Sequence, residues 1–348
     1  MKFRKILSII TVVLVALIIF LSHNQIIEAW HQLGSINLWI LALLLPVQIL
    51  MYFTAGQVYF SYLKAKKQMK RKTSVWKLMR LSFETNFVNH VIPSGGVSGL
   101  SYLAWRLRDN NITVGQAAMM QIVRYGLIAI ATNIIILISS VILIFIGAPF
   151  WIVFLSVSVA IAMTLFVILF IFIISNKKRI DFFGKHFRSA VNTVVKAITF
   201  NRVPELLKQE TIRKFLGDLH RDYCVIMQDK KMLRAPFVWS IIYSLCDSST
   251  FLITFFALGA PINFAYVTIA QGISSIIGTL VVTPGGAGFY ETAMASYFIT
   301  GGVVPATAIA ATLVTRVVIL LGTILLGWGF YQQALLKSRG KNTSKESA

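Results

Sequence analysis

Asn89-His90-Val91-Ile92-Pro93-Ser94-Gly95-Gly96-Val97-Ser98-Gly99 has a counterpart later in the chain, Leu280-Val281-Val282-Thr283-Pro284-Gly285-Gly286-Ala287-Gly288. Each places a proline and a glycine cluster between two apolar runs. Leu78 to Ile92 would make about 22 Å of helix and Val267 to Val282 about 24 Å, against a hydrocarbon core of about 30 Å. A break at such a depth exposes backbone donors and acceptors, so it survives only inside protein or beside water. Both stretches are therefore expected to be tips of re-entrant helical hairpins, walling a transport path.

Composition supports a membrane setting. The chain has 348 residues, 57% hydrophobic and 13% charged, with a mean hydropathy of +0.75. A soluble domain of this size does not look like that. The expected fold class is all-α: a polytopic integral membrane protein with about six full transmembrane helices plus two re-entrant hairpins. The net charge of +21 is distributed by side. The segments expected outside, about 22–37, 147–150, 259–263 and 300–305, contain no Lys or Arg. Apart from Arg124 and Arg316, every basic residue falls on the other side, which the positive-inside rule makes cytoplasmic. That pattern suits orientation and contact with anionic lipid, and no nucleic-acid partner is expected. Cys224 and Cys246 occupy a cytoplasmic stretch and a membrane helix, positions that do not suit a disulfide.

Outward from the two motifs, the chain reads as one membrane domain over residues 1–335. Ile6 to Leu21 follows Lys2, Arg4 and Lys5 and has no small-residue cleavage site behind it, so it is expected to be an uncleaved first helix with its N-terminus inside. Leu38 to Tyr62 returns to six basic residues between Lys64 and Lys72. Val75 to Ile92 carries Lys77, Arg80, Glu84, Asn86, Asn89 and His90, too many polar groups for a lipid-facing helix. It is expected to dip in, break, and leave through Leu100 to Leu107 on the side it entered. Long helices follow from about Thr113 to Ile146 and from Trp151 to Ile174. Between about 176 and 235, 14 Lys or Arg face six Asp or Glu. There Ile212, Phe215, Leu216, Leu219, Tyr223, Ile226 and Met227 recur at three and four, as an amphipathic helix requires. Asn201 and Pro204 are start signals for it, and it is expected to lie on the headgroups or on the bundle. Phe237 to Leu258 crosses outward, the second hairpin runs from about Phe264 to Ile299, and Ala306 to Tyr331 ends inside. Residues 336–348 form a polar cytoplasmic tail.

The order helix, hairpin, helix therefore occurs twice, at about 38–146 and 237–331, with opposite orientation. Pro93 to Arg124 is 31 residues and Pro284 to Arg316 is 32. Inverted repeats with broken helices build sites reachable from either side in turn. Six side chains are expected along the path: Asp247, Glu291, Arg124, Arg316, Glu84 and His90. Asp247 sits mid-helix, where a carboxylate must face a partner or a wet cavity. Arg124 and Arg316 are each followed by a full span, so each is expected near the face its own hairpin opens to, snorkelling or meeting a lipid phosphate. Glu84 and Glu291 are candidate partners for these arginines. His90 is a satisfied polar group or a proton relay. Pro93, Gly95, Gly96, Pro284, Gly285, Gly286 and Gly288 mark the hairpin tips, where close packing is the expected use of glycine. With no metal-ligand cluster and no nucleophile beside a base, no cofactor, metal or catalytic residue is expected.

Val91-Ile92-Pro93-Ser94-Gly95-Gly96 and Thr283-Pro284-Gly285-Gly286-Ala287-Gly288-Phe289-Tyr290-Glu291 resemble the transmembrane region of lysylphosphatidylglycerol synthases and their stand-alone relatives. In the two-part members, known as multiple peptide resistance factor, that region is the flippase, and a soluble domain attaches lysine to phosphatidylglycerol. The resemblance, from about residue 6 to 335, implies a lipid flippase in the cell membrane and a link to antibiotic resistance. The chain stops where the synthase domain would begin, so it is expected to move a lipid, anionic or aminoacylated, and not to make one. The alternatives are an aminoacyl-lipid synthase, which predicts lysylated lipid, and a small-solute secondary transporter. Lipids are the expected partners, and a homo-oligomer is compatible with everything above.

Overall fold

The computed structural model describes residues 36–67, 74–91, 97–108, 112–198, 209–280 and 288–346. The first expected span, Ile6 to Leu21, lies outside the described residues, as do Asn201, Pro204 and the tip residues Pro93, Gly95, Gly96, Pro284, Gly285 and Gly286. Among the described residues the chain is helical without strands: α1 (Leu38–Ala42), α2 (Leu44–Ala65), α3 (Val75–Val91), α4 (Val97–Leu107), α5 (Val114–Phe145), α6 (Phe150–Ile174), α7 (Lys177–Ile198), α8 (Gln209–Gln228), a 3-10 turn (Lys230–Leu233), α9 (Arg234–Ala257), α10 (Phe264–Leu280), α11 (Phe289–Thr300) and α12 (Pro305–Glu346). Among the described residues, five segments are long and apolar enough to cross a membrane: Leu38–Ala65, Val114–Phe145, Phe150–Ile174, Lys230–Ala257 and Pro305–Leu336. The protein is an all-α polytopic membrane protein.

Local chemistry explains several boundaries. The span expected as one helix from Leu38 to Tyr62 is interrupted at Leu43, whose N–H bonds back to Ile40 O at 3.0 Å. Pro46 has no N–H for the Ala42 carbonyl, which loosens the ladder at that point. α5 opens on a capping box, with Thr113 Oγ1 accepting from Gln116 N and Gln116 accepting from Thr113 N. Val97 to Gly99, expected within the break, are already helical, so the interruption in the first motif is shorter than the sequence suggests.

α3 and α4 form an antiparallel pair. Ser98 Oγ donates to Val88 O at 3.4 Å, Gly99 N donates to Asn89 Oδ1 at 2.8 Å, and Tyr102 reaches Glu84. A methyl at Gly99 would displace the Asn89 amide that accepts from Gly99 N. α10 and α11 pair in the same sense, through Ser274 and Met294 near the tip and the Tyr266 and Tyr297 rings farther back.

The two pairs pack at opposite ends of the bundle. One apolar cluster joins Phe87, Val91 and Leu103 of the first pair to Ala117, Met120 and Leu127 early in α5 and to Ile324 and Tyr331 late in α12. The other joins Val267, Ala270, Met294 and Phe298 of the second pair to Ile136 and Leu143 late in α5 and to Ala308 and Ala311 early in α12. Contacts are exchanged between the halves: α3 packs on α12, α10 packs on α5, and α2 packs along α9. Buried polar bonds join the helices, among them Ser248 to Gln271 at 2.6 Å, Thr315 to Thr254 at 2.7 Å and Thr268 to Ser139 at 2.7 Å. Each such bond contributes about 0.6 kcal/mol in a membrane protein.

α6 stands at the edge, exposing Phe154, Ile161, Leu165, Phe166, Ile168 and Leu169. The basic segment holds two helices where the sequence singled out one. α8 buries Leu219 and Ile226 against the bundle and lies across the start of α5. Its Asp222 takes Lys66 of α2 in an ion pair of 2.6 Å whose side chains are 6% and 4% exposed. α7 packs on α8 and follows α6 after two residues.

Candidate functional site

Asp247 lies in the body of α9, about 20 Å from its start and about 15 Å from its end at helical rise. Ser248 and Thr250 are buried, Ser248 donating to Gln271 of α10 and Thr250 to the Asp247 carbonyl of its own helix, whereas Asp247 itself remains partly exposed. Among the described residues its carboxylate has no ion-pair partner. The charge of Arg316 acts on it electrostatically.

Arg316 Nε donates to Glu291 Oε1 at 2.9 Å, and its guanidinium lies over the Tyr290 ring, 4.3 Å from the centroid. The other carboxylate oxygen of Glu291 accepts from Gly288 N at 2.7 Å. Gly288 has φ +88, a conformation that only glycine adopts freely, so the chain turns there into α11 and aims Glu291 back at the turn. Glu291 is about 14 Å from the far end of α11 and Arg316 about 17 Å from the start of α12. Both distances put the pair deep in the bundle, away from the mouth at which Arg316 was expected. His90, near the end of α3, also feels Arg316, and its Nδ1 bonds Asn86 O at 2.8 Å. The ends of α3 and α11 are thus brought toward one arginine.

Arg124 departs further from expectation. It does not snorkel: it is 1% exposed. Nη1 donates to Tyr59 Oη at 2.8 Å, and the guanidinium lies 5.2 Å from the Tyr59 and Tyr125 ring centroids and 5.9 Å from that of Tyr243. Tyr59 in turn bonds Gln121. No carboxylate pairs with Arg124 among the described residues, and its Nε is buried without a hydrogen-bond partner. Glu84 does not serve it. Glu84 is 2% exposed and receives Arg106 Nε at 2.8 Å and Tyr102 Oη at 2.8 Å, an ion pair within the first helix pair. The helix that carries Glu84 packs on α2, α4 and α12, whereas Arg124 stands on α5.

Tyr243 lies one turn before Asp247 on α9, and both Tyr243 and Tyr52 feel Arg124 and Asp247 together. Tyr52 Oη and Gln48 Nε2 bond Thr323 at 2.8 and 3.0 Å. Several polar clusters are therefore spaced along α2 and α9 as a discontinuous file: Lys66 with Asp222; Tyr59, Gln121 and Arg124 beside Tyr243; Tyr52 with Gln48 and Thr323; Asp247; and Arg316 with Glu291. The sequence pointed to Arg124, Asp247, Arg316 and Glu291 but not to Lys66, Asp222 or the tyrosines, nor to Arg106 as the partner of Glu84. The spacing of Tyr52 and Tyr59 by seven, and of Tyr243 and Asp247 by four, was the available signal, since each pair shares a helix face.

A guanidinium offers phosphate a planar fork of donors, and a carboxylate without a partner takes an amine or a proton. Comparison with curated proteins and with solved structures returned no match. The family model described as lysylphosphatidylglycerol synthase TM region matches residues 6–327. With a membrane bundle of this form matched over nearly its whole length, the chain belongs to that family.

Proposed function

We propose that the protein translocates a phospholipid, anionic or aminoacylated, between the leaflets of the cell membrane. The observation that carries this is the file of ionisable and phenolic side chains running through the bundle between two helix pairs that pack at its opposite ends. In this proposal the pairs are re-entrant hairpins of an inverted repeat. The support is their length. α4 and α11, of 11 and 12 residues, reach about 17–18 Å, and α3 and α10, of 17 each, about 26 Å, against a core of about 30 Å. The headgroup follows the file while the acyl chains stay in the bilayer. Arg316 and Arg124 attract phosphate, and Asp247 with Glu291 handles an amine or a proton. Both termini are placed in the cytoplasm, on the side of the basic segments.

Transfer is measured in vesicles holding the purified chain and a fluorescent phospholipid, by the fraction of label open to an impermeant reductant. Protein-dependent transfer is expected, with severalfold slower rates in Asp247→Asn and Arg316→Ala. No transfer, or rates in both variants equal to that of the unsubstituted chain, refutes the proposal. We also propose that the chain makes no lipid; lysylated phosphatidylglycerol in a host expressing it alone would be the contrary result.

A further inference from the structure

α7 is an amphipathic helix with one stripe already occupied. Ile180 and Gly184, four apart, are buried, and the space at Gly184 is filled by Leu216 of α8. The neighbouring face is largely exposed. Phe182 is 66% exposed and Phe183 53%, and they stand among the exposed Lys177, Lys178, Arg179, Lys185 and His186, with Asp181 the single acid of that stretch. The Phe182 and His186 rings lie 4.1 Å apart, centroid to centroid. Two adjacent phenylalanines held in water on a cationic helix would be unfavourable; at a headgroup boundary both groups are satisfied.

Position on the chain says what that boundary is. Asn176 and Ser175 alone separate α7 from α6, the most apolar of the spans and the least buried within the bundle. Arg179 lies over the ring of Phe172 at 3.6 Å and donates from Nη1 to Phe172 O at 3.2 Å. Phe172 is 51% exposed on the lipid-facing side of α6. The cationic, aromatic face of α7 is therefore continuous with a surface that meets acyl chains, at the height where those chains give way to phosphates. We propose that the α7 face carrying Lys178, Arg179, Phe182, Phe183 and His186 docks on the anionic phospholipid headgroups of the leaflet in which α6 ends. The lysines and Arg179 supply charge complementarity, and the two phenyl rings enter the boundary. This site is separate from the polar file and does not depend on the transport proposal.

The test uses the full chain with Cys224→Ser and Cys246→Ala, carrying Phe182→Cys, Phe183→Cys or Asp181→Cys, each with a nitroxide label. The vesicles are phosphatidylcholine alone, or phosphatidylcholine with an equal part of phosphatidylglycerol. Labels at 182 and 183 are expected to be severalfold more accessible to oxygen, relative to a water-soluble nickel complex, than the label at 181. The contrast should be larger with phosphatidylglycerol and should shrink in Lys178→Gln/Arg179→Gln. Equal contrast in both vesicle types overturns the recognition of anionic lipid. Water-like accessibility at 182 and 183 overturns docking and assigns the face to solvent or to a protein, a second copy included. Hydrogen exchange on the unsubstituted chain is the check if the cysteine variants do not fold: amides 177–188 should be more protected with phosphatidylglycerol, and equal protection refutes the proposal.

Discussion

Removing one member of the Lys66–Asp222 pair should release α8 from the bundle. The two side chains are 4% and 6% exposed and 2.6 Å apart, and they join residues 156 positions apart in the chain. In Asp222→Asn the Lys66 ammonium keeps an amide oxygen but loses its counter-ion at a buried position. Breaking a buried pair from one side costs about 3–5 kcal/mol. If that cost is borne by local opening of α8, the open population rises roughly 150-fold or more, at about 1.4 kcal/mol per factor of ten. Replacing both, as Lys66→Met/Asp222→Leu, removes the stranded charge as well as the attraction and should return the arm to near its original protection. The assay is the rate of chymotrypsin cleavage within α8, at Phe215 and Tyr223, with the protein otherwise folded. An internal control is available: the Asp218–Arg221 pair of the same helix is 3.4 Å apart and Arg221 is 77% exposed. Arg221→Gln should change cleavage by no more than an exposed pair allows, about 1 kcal/mol or less. Cleavage in Asp222→Asn no faster than in Arg221→Gln, or a double variant as open as the single one, would refute the reasoning.

Three further outcomes are expected. Glu291→Gln keeps an acceptor for Gly288 N but loses the charge opposite Arg316, so lipid transfer should fall about tenfold, for roughly 1.5 kcal/mol of charge-assisted bond, with thermal stability little changed; Glu291→Ala should also lower stability, by about 1 kcal/mol, as the cap goes. Gly56→Ala would push a methyl to 2.6 Å from Met79 N, a backbone atom, and should cost about 1–3 kcal/mol in a denaturation series. Gly126→Ala, with nothing within 4 Å, should be neutral or stabilising. Cys224, half-buried in α8, should react with an impermeant maleimide only after cells are opened, and Cys246, 8% exposed, should stay unlabelled; labelling of Cys224 from outside would reverse the proposed orientation.

Spans, short helices and the amphipathic arm could be read from the chain because each is a local property. A helix satisfies its own backbone, so length and apolar content decide whether a segment crosses. The glycine and proline clusters pointed to two pairs of short helices, and the mid-helix position of Asp247 followed from its distance to both ends of one helix. Partnership was a different matter. Glu84 faces Arg106 and not Arg124, Glu291 does reach Arg316, and Arg124 is enclosed by tyrosines from α2, α5 and α9. Nothing within a helix says which of its faces will meet which neighbour. That depends on how α3 seats on α12 and α10 on α5, through residues hundreds of positions apart. Which charged side chains the helices carry was thus determined by the sequence alone, but the burial of the arginines and the pairing of the charges were decided only by tertiary packing, because an ion pair forms where helices meet in space.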